Sequence, residues 1–127
     1  MSHIVQLYCF IAAGGAVGAC LRYFMTNQFD SLFGKALPFG TLGVNIVGSF
    51  GLAMLYGIIE RHELADSPWR ALIGVGLFGA FTTFSTFSIE TLTLLENGLW
   101  LKAVANILLN VIACLAAAWV AVELMKG

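Results

Sequence analysis

The sequence predicts an all-α integral membrane protein with four transmembrane helices. Two observations carry this. Of 127 residues, 60% are hydrophobic and only 10% charged, with mean hydropathy +0.92, whereas a water-facing domain carries roughly a quarter charged residues. The apolar residues also fall into four segments, each near the roughly 20 residues that a helix needs to cross about 30 Å of hydrocarbon. The whole chain, 1–127, reads as a single four-helix transmembrane domain.

The first span is expected over about 4–25 and reads as a retained span rather than a cleaved leader, because it lacks a basic flank. A connector from Asn27 to Pro38 leads to the second, about 39–59. A charged loop, Glu60–Ser67, follows, and Ser67-Pro68 reads as an N-cap with proline at the first helical position. The third span runs over about 69–96 and stops at Asn97-Gly98. The fourth runs over about 100–124. Trp69 and Trp100 sit at segment starts, where interfacial tryptophans belong. Small residues recur at close-packing spacing, as in Gly14/Gly18 and Gly48/Gly51, and predict tight helix contacts.

Positive charges divide evenly between the two faces. Arg61, Arg70 and Lys126 share the face with the termini, and Arg22, Lys35 and Lys102 lie opposite. The balance gives no preferred orientation and points to dual topology, an antiparallel homodimer of a chain with its inverted copy.

The chemically informative stretch is Gly79–Ser88, in the third span. Thr82, Thr83, Ser85, Thr86 and Ser88 fall on several helix faces, and hydrocarbon offers them no water. Gly74, Gly76 and Gly79 precede them and weaken the helix, so the third helix is expected to break near its centre, around Gly79–Thr83. Phe78, Phe81, Phe84 and Phe87 recur at every third position, near one face. The positive edge of a phenylalanine ring attracts an anion weakly, and a path built on Phe84 and Phe87 needs further donors. Asn45, Asn106 and Asn110 supply neutral N–H groups mid-segment, with interhelical hydrogen bonding as their alternative role. Arg22, at the end of span one, either snorkels or draws anions to a pore mouth. Glu90 could carry protons, pair with a cation or line a vestibule.

Several classes are excluded. No basic run suggests nucleic acid, and no catalytic or nucleotide-binding constellation suggests an enzyme. Cys9, Cys20 and Cys114 lack metal-ligand spacing and read as apolar packing residues. His3 and His62 read as solvated.

The motifs Gly14-Gly15 to Arg22-Tyr23, Gly40-Thr41 with Val44-Asn45 and Gly48, and Gly79 with Thr82 to Ser88 resemble the Fluc (CrcB) family of fluoride channels. The resemblance covers nearly the whole chain. It implies a small inverted homodimer in the plasma (inner) membrane of a prokaryote that passively exports fluoride through two pores and so lowers its toxicity. It also implies that Phe84 and Phe87 form the aromatic pair of each pore, with Asn45 as the pore asparagine, and that Thr83, Ser85, Thr86 and Ser88 make a polar track. Arg22 would lie towards the vestibule. A structural sodium ion is implied at the dimer centre, on the backbone carbonyls of Gly79 and Thr82. Asn106 and Asn110 stand where family members often carry serine or threonine, and Ala80 replaces a common glycine. The competing reading is a small dual-topology proton-coupled multidrug exporter, which requires a membrane carboxylate that span one lacks.

Overall fold

The computed structural model describes residues 2–126. Its elements are α1 (His3–Phe33), α2 (Phe39–Arg61), a π-helical stretch (Arg70–Phe78) that passes into the single turn α3 (Gly79–Phe81), then α4 (Phe84–Glu96) and α5 (Trp100–Lys126). No strand occurs among the described residues. Four stretches are long and apolar enough to cross a membrane: His3–Phe33, Phe39–Arg61, Arg70–Glu96 and Trp100–Lys126. The chain is a multi-pass membrane protein.

Helix α1 is longer than expected. It continues through the polar Thr26-Asn27-Gln28 to Phe33 instead of ending near Met25. Polarity alone does not stop a helix, and no glycine or proline intervenes before Gly34. There the backbone turns to φ 84°, and the Gly34 N–H bonds the Asp30 carbonyl. The left-handed conformation favours glycine and ends the helix. The added turns also bring Asp30 beside the start of α2, where its Oδ1 accepts the Gly40 N–H at 2.8 Å. Pro38 precedes α2 and supplies no side-chain cap, so a carboxylate ten residues upstream satisfies this orphan donor.

Ser67 does not take the expected N-cap role. Its hydroxyl does not cap the third span but donates to the Leu64 carbonyl. The span is preceded by Trp69 without a side-chain cap, and the Pro68 carbonyl accepts the Leu72 N–H at 2.9 Å. The stretch that follows is π-helical. The Gly79 N–H reaches back five residues to the Gly74 carbonyl, a pattern frequent at functional sites.

Helix α1 packs chiefly on this π-helical stretch, and α2 packs on α5. A Cβ on Gly14 would lie 1.8 Å from the Leu72 carbonyl oxygen, and one on Gly18 would lie 2.1 Å from that of Leu77. The glycines are therefore contact points of backbone on backbone, as the small-residue spacing predicts. Asn97 and Gly98, with φ 77° at Gly98, end α4.

Candidate functional site

The site forms where the backbone leaves the helix after Phe81. Thr82 (φ −86°, ψ 159°) and Thr83 (φ −150°, ψ 121°) are extended, and helical geometry returns at Phe84. In a continuous α-helix the Gly79 carbonyl would receive the Thr83 N–H, and the Thr82 carbonyl the Thr86 N–H. Both donors are diverted. The Thr83 N–H is given to Asn45 Oδ1 at 2.8 Å, and the Thr86 N–H to the Thr83 hydroxyl at 3.2 Å. Two carbonyls are thereby deprived of their helical partners.

Asn45, from the middle of α2, also donates Nδ2 to the Thr83 carbonyl at 3.1 Å. Arg22, half-buried on α1, donates Nε to the Ala80 carbonyl at 3.0 Å. That guanidinium replaces the Phe84 N–H that a continuous helix would supply, so Arg22 reaches the end of α3. It stands one turn beyond Gly18 and two beyond Gly14, on the face whose register those glycines set.

Phe84 and Phe87 open α4. Their ring centroids are 5.3 Å apart with planes at 52°. Phe87 is 8% exposed and Phe84 is 77% exposed. Together with Asn45, Thr83 and Asn110 they border a cavity of about 290 Å³, room for several waters at about 30 Å³ each. A second cavity, about 360 Å³, lies against Arg22, Gly79, Thr82, Thr83, Ser85 and Thr86. Thr83 thus stands between the two.

The family model described as CrcB-like protein, Camphor Resistance (CrcB), matches residues 9–122. The chain belongs to the CrcB family. It is 78% identical over 123 residues to a fluoride-specific ion channel FluC of Alteromonas mediterranea, covering 97% of each chain. It is 50% identical over 115 residues to the protein of that name from Pseudoalteromonas translucida, covering 91% of this chain and 96% of the relative. A Vibrio cholerae protein of the same name is 48% identical over 119 residues, with 93% and 94% covered.

The remaining predicted residues of this CrcB chain take several positions. The Thr82 and Ser88 hydroxyls back-bond one turn, to the Phe78 and Phe84 carbonyls at 3.1 and 2.9 Å. Back-bonding of this kind satisfies a hydroxyl without water. Thr83 Oγ1 bonds Thr86 Oγ1 at 3.1 Å and lies 3.5 Å from Ser85 Oγ. Asn106 and Asn110 share one face of α5 and are 1% and 7% exposed. Asn110 borders the first cavity, while Asn106 donates Nδ2 to Thr91 Oγ1 on α4 at 2.9 Å. Glu90 lies away from both cavities, in a third of about 400 Å³ with Asp30 and Lys35. Its Oε1 and the Thr41 hydroxyl are buried without a hydrogen-bond partner.

Beside the apolar Leu52 and Val111, two polar side chains of the first cavity, Ser49 and Cys114, are not among the expected site residues. Each lies four residues beyond a predicted one, Asn45 or Asn110, so helical spacing carried the signal. Phe81, for its part, is buried at 5% exposure.

Proposed function

We propose that this chain is a fluoride-selective channel that lets fluoride leave the cytoplasm passively across a bacterial inner membrane. The 78% identity to a fluoride-specific channel over 97% of the chain carries the choice of anion, and the physical chemistry of the site supports it. Fluoride is small and tightly hydrated, so a pore must replace its water without trapping it. The hydroxyls of Thr83, Ser85 and Thr86, the ring edges of Phe84 and Phe87, and the N-terminal amides of α4 are neutral or dipolar attractors. The cavity that Phe87 lines has no lysine or arginine, and Arg22 borders only the second cavity, where its Nε is donated to the Ala80 carbonyl. The exporter reading is not favoured, because Glu90 lies apart from the aromatic cavity.

The interrupted third helix would then be the working centre, and the pore would be completed by an inverted second copy. Phe84 is 77% exposed on the single chain, beside exposed Ser85 and Ser88. Ser88 is satisfied by its bond to the Phe84 carbonyl, but Ser85, whose hydroxyl lies 3.5 Å from Thr83 Oγ1, would be poorly solvated by lipid, so a covering protein surface suits it, and the three-against-three charge balance suits an inverted partner. A sodium ion fits the same frame. Gly79 and Thr82 offer carbonyls freed by the diversion of Thr83 and Thr86 N–H groups, and oxygen ligands suit a hard cation. When bound, the ion would supply positive charge to the exposed carbonyl end of α3 and hold two copies together.

The test is efflux from liposomes loaded with fluoride or chloride. The expected result is rapid fluoride release with little chloride release. Folded protein that releases no fluoride would overturn the proposal.

A further inference from the structure

A cavity of about 750 Å³ lies far from the helix break, between the start of α1 and the start of the third span. It shares no lining residue with the two cavities at Thr83. Its wall changes character with depth. Asp66 and Arg70 stand at the end where the loop meets the span, and Leu7, Phe10 and Val75 continue the wall along the helices. Leu7 and Phe10 are three residues apart and share one face of α1, and all three apolar side chains are exposed. From His3 to Ile11, which both line the cavity, a helix climbs about 12 Å. The groove therefore runs from a polar mouth at the membrane surface into the apolar depth of the spans.

The mouth carries one charge of each sign, and neither is paired. The ion pair found among the described residues is Lys126 with Glu123, so Arg70 and Asp66 do not neutralise each other. Arg70 is instead held by an aromatic contact, its Cζ lying 5.2 Å from the centre of the Tyr56 ring on α2. Such a cation–π contact leaves the N–H groups of the guanidinium for a ligand, and their planar fork matches phosphate oxygens. Trp69, exposed beside Arg70, marks the depth of the headgroups.

We propose that this groove binds one phospholipid with an ethanolamine head. Arg70 holds the phosphate, Asp66 accepts from the ammonium, and an acyl chain lies along Leu7, Phe10 and Val75. Charge complementarity selects this occupant. A head with a phosphate and no amine would leave Asp66 facing a like charge, and a choline head has no N–H to give a carboxylate. The inverted copy has its place elsewhere, since α1 does not pack on α4, the helix whose exposed Phe84 and Ser85 call for a covering surface. The inference does not rest on the channel reading.

Native mass spectrometry of the purified protein tests it. The protein is titrated with phosphatidylethanolamine, phosphatidylglycerol or phosphatidylcholine of identical acyl chains. Wild type is expected to bind the ethanolamine lipid about tenfold more tightly than the choline lipid, the scale of one hydrogen bond to a charged group. Arg70→Gln is expected to weaken the ethanolamine and glycerol lipids alike, about tenfold each. Asp66→Asn is expected to weaken the ethanolamine lipid to the same extent and to leave the glycerol lipid unchanged. Arg61→Gln, on the same face but outside this cavity, is expected to bind all three as wild type does. Equal binding of the three lipids by wild type would overturn the proposal, as would an Asp66→Asn loss shared by the glycerol lipid, or a loss in Arg61→Gln equal to that in Arg70→Gln. Wild type that retains no ethanolamine lipid would also overturn it and leave the groove to a second copy. Should Arg70→Gln not fold, Asp66→Asn, in the loop before the span, decides through its selectivity alone.

Discussion

Asn45 grips Thr83 at both backbone atoms, accepting its N–H at 2.8 Å and donating to its carbonyl at 3.1 Å. One amide side chain thus replaces the pairing that the extended residue lost on leaving the helix. Asn45→Leu would leave a part-buried backbone donor and acceptor unpaired, at about 1–3 kcal/mol for each group left unsatisfied. The expected outcome is a lower thermal midpoint in detergent. A midpoint equal to wild type would show that the break stands without Asn45.

The aromatic pair gives a functional prediction. Phe84→Ile and Phe87→Ile each remove a ring edge while keeping apolar bulk. Fluoride efflux is expected to fall at least tenfold, about 1.4 kcal/mol on the barrier, with an unchanged elution volume on size exclusion. Wild-type flux in both variants would refute the aromatic path.

Gly14 and Gly18 concern packing. A methyl at Gly14 would meet the Leu72 carbonyl at 1.8 Å, and backbone cannot move aside as a flexible side chain can. Gly14→Ala is expected to destabilise by about 1–3 kcal/mol, as overpacking does. The check is the midpoint of unfolding in mixed detergent. Gly15→Ala, whose Cβ would lie 3.9 Å from the Gly76 carbonyl oxygen, serves as the tolerated control.

Asp30 links two helices through the Gly40 N–H. Asp30→Ala should cost about 0.5–2 kcal/mol, as loss of an N-cap does, and Asp30→Asn should recover most of it. Equal losses in the two variants would show that the charge, not the acceptor oxygen, matters.

Replacing all sodium with a large organic cation should reduce fluoride efflux if the Gly79 and Thr82 carbonyls hold that ion. Full flux and an unchanged elution volume in rigorously sodium-free buffer would count against the site.

Much of the architecture was legible in the chain. Hydropathy located the four spans, and the Gly79–Ser88 composition marked the stretch that contains the extended Thr82 and Thr83. The errors came from local turn and capping chemistry, where one residue decides where a helix stops or starts. Asn27 reads as the start of a connector, yet α1 runs on because the glycine able to end it comes only at position 34. Ser67 looked like a cap, but its hydroxyl found the Leu64 carbonyl. The π-helical stretch has no periodicity of its own, since glycines permit it without marking it.

The sequence by itself determined that the chain spans a membrane, because four apolar segments with so few charges have no soluble alternative. It also determined where polarity interrupts them, because hydroxyls and glycines in hydrocarbon are costly wherever the helices pack. Only the tertiary structure decided what those polar groups bond. Arg22 meets Ala80 across 58 positions, Asn45 meets Thr83 across 38 and Asn110 across 65. Such pairings depend on helix register and on the close approach that Gly14 and Gly18 allow. Hydrogen bonds reach only about 3 Å, so composition can nominate the partners and packing alone can join them.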